Sequence, residues 1–560
     1  MKKIFITLFV LFSLNSFAFP QPDKPKLVVG IVIDQMNYDY FGRYMHKFCD
    51  GGFKRLYNNG LYFKNTNITH FPTYTAPGHT SLYTGTVPAY NGIVGNNWIE
   101  RFSKSVMYCA SDKTVTGVGT SSKKGLMSPR NMLTSTVTDQ LKIASNFKAK
   151  VIGIALKDRG GIFPAGHYAN AAYWYDLSNE CWVTSSYYMA QLPDWVEKFN
   201  AKKLPAKYLS EPWNTLYPID TYIESTPDDV PWEYTFEGEE KPVFPHNLPA
   251  LKSKNEEVLQ YSPFGNTLTK DFAIDCIVNE NLGRTGETDF LAISFSSTDY
   301  VGHMYGPHSI EVQDTYLRID KELAELFTFI DEFVGEGNTL YFLTADHGNC
   351  TNPMMLKENK YDAGAFYSKK ILAAGNDYMQ KTFGVENIAL RFFNQQFYFD
   401  MNVITDNNLN ISEVSDSLAR FVYKNVEGVR DVFTSYQLKQ VMDSRFRGND
   451  RSSGIVFYSP FIEFFKNGFY EPRNGDVIVN FKPGWIEDGE KGTEHGSPYP
   501  YDTHIPLMFF GWKITKDEIS DYVRMVDVAP TISAILNIDF PNGNIGTPIK
   551  AVMNNIGHKR

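Results

Sequence analysis

The chain has 560 residues, 43% of them hydrophobic, which is enough for a large core and for either two to four average domains or one elaborated α/β domain. A net charge of −9 at pH 7 with no long basic block gives nucleic-acid binding little electrostatic support, so a small-molecule partner is expected.

Met1-Lys2-Lys3, the apolar stretch Ile4 to Leu14 and the small-residue pattern Ser16-Phe17-Ala18 predict a signal peptide over 1–18, cleaved near Ala18. A membrane anchor is the alternative, but the apolar run is shorter than a bilayer span requires. No cysteine follows it, which disfavours a lipoprotein, and no second run is long enough to cross a membrane. Residues 19–560 are therefore expected in the periplasm or secreted, without stable membrane insertion, and as a monomer. Cys49, Cys109, Cys181, Cys276 and Cys350 are widely spaced; export permits one or two disulfides, and the odd count leaves one thiol over unless the chain dimerises through it.

Five apolar runs read as strands: Leu27 to Ile33, Val151 to Leu156, Phe290 to Phe295, Thr339 to Thr344 and Ile505 to Phe510. Helical periodicity lies between them, most clearly from Ser309 through Tyr316, Ile319, Leu323, Leu326, Ile330 and Phe333 to a stop at Gly335. This alternation predicts an α/β fold with a mostly parallel central sheet sandwiched by helices. In such sheets ligands gather beyond the carboxyl ends of the strands, where Asp34, Lys157, Ser296 to Asp299 and Asp346 fall. Two regions break the pattern. Residues 180–262, rich in Pro, Trp, Tyr and acids, read as a cap-like insertion, and residues 375–480 as a small α/β subdomain. Within the second, Ala389 to Phe399 reads as a strand, Asn410 and Glu413 as a capping box, and Val429 to Phe433 as another strand. Ser444 to Gly454 reads as a surface loop.

The chemistry concentrates in four places. Residues 71–86, Phe-Pro-Thr-Tyr-Thr-Ala-Pro-Gly-His-Thr-Ser-Leu-Tyr-Thr-Gly-Thr, hold the Thr75 hydroxyl before a helix-compatible segment, downstream of a strand that ends on Asp34. Asp299 and His303, four apart, share one face of a helical turn. Asp346-His347-Gly348 follows a strand, and His495 sits in the loop Gly-Thr-Glu-His-Gly-Ser. Each alone has an ordinary structural reading. Together, three Asp and three His suit zinc better than magnesium and suffice for two ions with open positions. A threonine hydroxyl is a weak nucleophile that needs a base or a metal, and two ions that stabilise the attacking and leaving oxygens fit in-line displacement at phosphorus.

These segments, with Ile-Val-Gly-Asn96-Asn-Trp, Ala-Leu-Lys157-Asp-Arg159-Gly and Ser-Pro-Phe-Gly-Asn-Thr-Leu-Thr, resemble the alkaline phosphatase superfamily over nearly the whole mature chain. The resemblance is to its secreted bacterial PafA-type phosphomonoesterases with a threonine nucleophile. It implies one zinc held by Asp299, His303 and His495 and a second held by Asp34, Asp346 and His347 beside Thr75. It further implies a phosphothreonine intermediate, with inorganic phosphate as product, and a dianion clamp of Lys157 and Arg159 with Asn96 as neutral donor. At an ordinary strand end, Lys157 and Arg159 would be a solvated pair. The sulfatase branch needs Cys-x-Pro-x-Arg or Ser-x-Pro-x-Arg where this chain has Thr75-Ala-Pro-Gly-His.

His79, His308 and His504 read as structural, His70 and Tyr74 as shaping the loop, and Ser81 as a fallback nucleophile. Asn349-Cys-Thr matches a glycosylation triplet but abuts the expected ligands. The expected activity is hydrolysis of phosphate monoesters. A phosphodiesterase or nucleotide pyrophosphatase on the same fold is the alternative, and a non-catalytic metal- or phosphate-binding protein a third reading.

Overall fold

A computed structural model describes residues 23–442 and 459–557, so the expected signal peptide and the 444–454 loop lie outside the described residues. The five predicted strands form as Leu27–Ile33, Val151–Ala155, Asp289–Phe295, Thr339–Thr344 and His504–Gly511. Leu27–Ile33 is central, parallel to Asp289–Phe295 on one side and to Thr339–Thr344 on the other. Val151–Ala155 and Ala171–Asp176 continue the parallel array beyond Asp289–Phe295. The middle of the sheet is buried throughout, which is why these strands read as unbroken apolar runs. The edges differ: His504–Gly511 joins Thr339–Thr344 antiparallel, as Leu61–Asn67 joins His504–Gly511, so the 11-stranded sheet is mixed, with a parallel heart.

The helix read from Ser309 runs Ile310–Val334. The Ser309 hydroxyl caps it by accepting from the Val312 amide, and Gly335 ends it with φ +99°. At the end of Val151–Ala155 the chain turns into the helix Asp158–Ala165, which lies so close that a Cβ on Gly153 would meet the Gly161 carbonyl oxygen at 2.1 Å. This fit fixes Lys157 at the sheet's carboxyl edge.

Several expectations need correction. The 180–262 insertion begins inside the sheet, because Cys181–Ser185 pairs antiparallel with Ala171–Asp176 and the helices Asp194–Ala201 and Leu204–Tyr208 follow. Its aromatic and Pro-rich composition hides a largely buried strand, which Gly117–Val118 borders on the outer side. The strand expected over Ala389 to Phe399 is a hairpin, Ala389–Phe393 and Gln396–Phe399, turned by Asn394 and Gln395 with φ +50° and +60°. That hairpin, with Val429–Thr434 and Val477–Phe481, makes a separate four-stranded antiparallel sheet with its own apolar cluster. Asn410 caps the helix Ile411–Asn425 by accepting from the Ser412 and Glu413 amides, so the cap rests on Asn410. All five cysteines are free, so no disulfide forms among the described residues.

The irregular chain before residue 247 is anchored by buried acids of the long helix. Asp314 accepts from the Trp213 indole at 2.7 Å and the Leu216 amide at 2.6 Å. His246 bridges Glu239 at 3.0 Å and Glu311 at 3.3 Å. Burial opposes the His246 charge, but its hydrogen bonds to Glu239 and Glu311 outweigh it and raise the pKa to about 9. A raised folded-state pKa stabilises fully below the unfolded value of about 6.5 and is lost as pH rises through the folded one. A shift of this size corresponds to roughly 3 kcal/mol. We therefore expect His246→Gln to lower the thermal midpoint strongly at pH 6 and much less at pH 10; an equal loss at both would remove the ion-pair role.

Candidate metal centre and active site

The strand Leu27–Ile33 delivers Asp34, the strand Thr339–Thr344 delivers Asp346 and His347, and the strand Asp289–Phe295 leads into the helix Ser297–Tyr305 with Asp299 and His303. His495 arrives from the loop before His504–Gly511. All six meet at one end of the sheet. His347 Nε2 lies 3.5 Å from Asp34 Oδ1 and 3.3 Å from Asp346 Oδ2. Asp299 Oδ1 lies 3.3 Å from His303 Nε2 and 3.6 Å from His495 Nε2. The two sets touch, since the His347 and His495 rings stack with centroids 3.6 Å apart.

The tautomers suit ligation. His303 Nδ1 pairs with the Thr493 carbonyl at 2.8 Å, His495 Nδ1 with the Thr73 carbonyl at 2.7 Å, and His347 Nδ1 with the Gly348 carbonyl at 3.0 Å. Each Nδ1–H is thereby donated to the backbone and each Nε2 is turned inward, the atom left to ligate once deprotonated. In the Asp34, Asp346 and His347 set, three facing atoms are buried without a hydrogen-bond partner: Asp34 Oδ1, Asp346 Oδ2 and His347 Nε2. Orphaned polar atoms of this kind are costly, and a divalent cation among them would satisfy all three. Asp34, Asp346 and His347 form one candidate metal-binding cluster of the described residues, whereas Asp299, His303 and His495 are divided between two others, Asp299 with His347 and His495, and His303 with Glu494 and His495. Glu494 also comes near His303 and His495. It meets His303 at 3.7 Å on the Nδ1 already committed to Thr493, which makes Asp299 the better partner.

Charge shows the strain of this assembly. Burial, then Asp299 and Asp346, push the Asp34 carboxyl well above the usual carboxylate range. Burial acts the same way on Asp299, but Lys157 and His303 override it and hold that carboxyl well below. Lys157, only 4% exposed, donates to Asp34 Oδ2 at 2.8 Å and to Asp299 Oδ2, and its ammonium lies 4.8 Å from the Tyr300 ring centre. Burial would lower its pKa, yet these carboxylates raise it. Sequence reasoning assigned Lys157 to substrate alone; the structure also makes it the counter-charge between the two sets.

Thr75 is the first residue of the helix Thr75–Thr84 and is buried. Its neighbours touch the ligands: Thr73 holds His495, and Gly78 lies so close to Asp346 that a Cβ there would meet the Asp346 carbonyl oxygen at 2.3 Å. His79 pairs with the Thr75 carbonyl and Ser294 Oγ, both at 2.9 Å, and approaches Asp346 Oδ2 at 3.3 Å. His308 pairs with Thr351 and His504 with the Lys64 carbonyl, both away from the ligand sets. Asn96 Oδ1 accepts from the Ala76 amide at 2.9 Å, which turns its side chain beside Thr75 and leaves its NH2 to the cavity. Arg159 donates to Tyr108 OH at 3.3 Å, and its Nε is buried without a partner. A cavity of about 630 Å3 opens here, lined by Tyr74, Asn96, Tyr234, Tyr261, His303 and His495. The 180–262 segment thus reaches the site through Tyr234 and Tyr261, and the small sheet's hairpin through Asn394, which donates to the Asn97 carbonyl at 2.8 Å.

Sequence reasoning missed Gln35 and Asn349. Gln35 donates its amide N–H to Asp346 at 3.1 Å and its side chain to Asp299 at 2.9 Å, from a left-handed backbone at φ +66° that costs a non-glycine residue about 1 kcal/mol. Its position directly after Asp34 was the available signal. Asn349, considered only as a glycosylation triplet, is 1% exposed and points inward.

Fold and site together define an α/β protein with candidate metal-binding groups at the carboxyl ends of the parallel strands of its sheet. The profile of the type I phosphodiesterase / nucleotide pyrophosphatase family matches residues 28–504, and the chain belongs to that family. Among curated relatives it is 45% identical to a Myroides odoratus protein named calcium-transporting ATPase, covering 96% of each chain. It is 44% identical to alkaline phosphatase PhoV of Synechococcus elongatus, over 95% of this chain and 94% of the relative. With alkaline phosphatase PafA of Elizabethkingia meningoseptica it shares 41% identity over 95% of each chain. A crystal structure of PafA superposes with a TM-score of 0.89 at 41% identity, covering 94% of this chain and 98% of that one. The expected kinship with PafA-type enzymes of the alkaline phosphatase superfamily therefore holds in sequence and in fold.

Metal-stripped protein should regain stability on adding zinc, by about 2.7 kcal/mol per site at a hundredfold excess over Kd. Asp346→Ala should lose one site's increment and keep the other, read by thermal denaturation against zinc concentration. An unchanged increment would remove Asp346 from the ligand set.

Proposed function

We propose that the protein is an exported, zinc-dependent alkaline phosphatase that hydrolyses phosphate monoesters through a phosphothreonine formed on Thr75. The observation that carries this reading is the meeting of two metal-ligand sets with Lys157 and the start of the Thr75 helix. The alkaline phosphatases PhoV and PafA, similar over nearly the full chain, support it.

Asp34, Asp346 and His347 would hold one zinc, and Asp299, His303 and His495 the other. Bound there, the two ions supply Lewis-acid stabilisation of the attacking and leaving oxygens. Two ions with imidazole and carboxylate donors favour zinc over harder cations. Thr75, at a helix N-terminus, sits where the peptide dipoles favour developing negative charge. Its Oγ attacks phosphorus, the bond from phosphorus to the alcohol oxygen breaks, and the alcohol leaves with a proton. Water then cleaves the phosphothreonine, releasing inorganic phosphate and restoring the hydroxyl.

Lys157, Arg159 and Asn96 supply what a dianion needs. An ammonium has three donors, of which Asp34 and Asp299 take two, leaving one for a phosphoryl oxygen. Asn96, which lines the cavity, would be a further donor through its NH2, and Arg159, which does not line it, would have to reach the dianion from beside Tyr108. A diester carries one charge fewer and gains less from these cations. That contrast separates our reading from the phosphodiesterase reading that the family profile also admits. Export is supported by the Lys-initiated apolar leader ending in Ser16-Phe17-Ala18.

Comparing an aryl phosphate with a bis-aryl phosphate tests the reading. We expect faster turnover of the monoester, and in Lys157→Ala a monoester kcat/KM that falls about 100-fold, the scale of losing one charge-stabilising donor, with a much smaller loss on the diester. Faster turnover of the diester by the unsubstituted protein would overturn it.

A further inference from the structure

We propose that Gln35 is a positioning residue that locks the two candidate metal sites into one unit, and that Gly302 is glycine in order to admit its side chain. The inference rests on the two-site reading above. Gln35 grips one carboxylate of each set from opposite ends of the residue. Its backbone N–H reaches Asp346 Oδ1 at 3.1 Å, the oxygen that also accepts from the His347 amide at 3.1 Å, so that Oδ2 is left to face His347 Nε2. Its side-chain NH2 reaches Asp299 Oδ1 at 2.9 Å, the oxygen nearest His303 Nε2 and His495 Nε2.

The amide itself cannot turn freely. Gln35 Oε1 accepts from Asn349 Nδ2 at 2.7 Å, which fixes which end of the amide faces Asp299. Asn349 is held in turn, accepting from Asn37 Nδ2 at 2.7 Å and donating its backbone N–H to Asn37 Oδ1 at 2.7 Å. A buried polar chain with its members paired specifies one geometry. It runs from the turn after Leu27–Ile33 to the turn after Thr339–Thr344, the two strands that deliver Asp34, Asp346 and His347. The pocket for the amide is cut from the helix that carries Asp299 and His303: a Cβ on Gly302 would meet Gln35 Oε1 at 1.9 Å. One residue in a left-handed backbone thus ties three strand ends together.

The two grips differ in kind, and that makes the proposal testable. The hold on Asp346 is backbone and survives side-chain replacement, whereas the hold on Asp299 is side chain and does not. Loss of a partner behind a ligand typically weakens metal affinity 10–100-fold. In zinc-loaded full-length protein titrated with a chromophoric chelator, the unsubstituted chain should release two ions. Gln35→Leu should release one ion at a chelator concentration lowered by at least about 10-fold and the second where the unsubstituted chain does. The retained ion should disappear with Asp346→Ala. Gly302→Ala keeps the glutamine but fills its pocket, and should loosen the same single ion. Thermal denaturation of the metal-free forms checks that each variant is folded. Equal loosening of both ions, or no loosening in either variant, overturns the role of Gln35. Release of a single ion from the unsubstituted chain overturns the two-site reading and this inference with it.

Discussion

Three aspartates from three different strand ends, Asp34, Asp299 and Asp346, are buried within reach of one another at the edge of the sheet. Carboxylates so placed repel and are stripped of water, and the arrangement persists only because cations and donors surround it. Lys157 is the cation the chain itself supplies, shared between Asp34 and Asp299. The rest of the structure serves this cluster: a buried parallel array sets the strand ends, the close packing of the Asp158–Ala165 helix fixes Lys157, and three backbone carbonyls orient three imidazoles.

The cluster also explains how binding and chemistry are coupled. A site built from like charges is a poor folding unit and a good cation trap, so stability is given up where function is gained. Thr75 is tied into the same network through Thr73, Gly78 and His79. The cavity is walled partly by His303 and His495 of the cluster and partly from elsewhere, by Tyr234 and Tyr261 of the irregular segment and Asn394 of the small sheet. The outer walls are therefore supplied by parts of the chain that carry none of the six candidate ligands.

Much of this was legible in the sequence because the signals were local. Ser309 and Gly335 are a serine cap and a glycine stop, and they bound the long helix to the residue. Asp34 and Asp346 follow apolar runs, and Asp299 and His303 share a helical face, so the ligand candidates stood out. The hairpin at Asn394 and Gln395 did not, because a turn without glycine interrupts a continuous apolar run weakly. Cys181–Ser185 was hidden by the composition of the segment around it. Gln35, Asn349 and the second role of Lys157 depend on contacts across 264, 314 and 123 residues, and no local pattern announces an amide that holds a distant carboxylate.

The central claim is that the carboxylate cluster is built for two cations. The direct measurement is an anomalous-scattering map at the zinc edge from crystals of the zinc-loaded protein. The account predicts two peaks, one against Asp34, Asp346 and His347 and one against Asp299, His303 and His495. A single peak, or none with the Lys157 ammonium alone bridging Asp34 and Asp299, would contradict it.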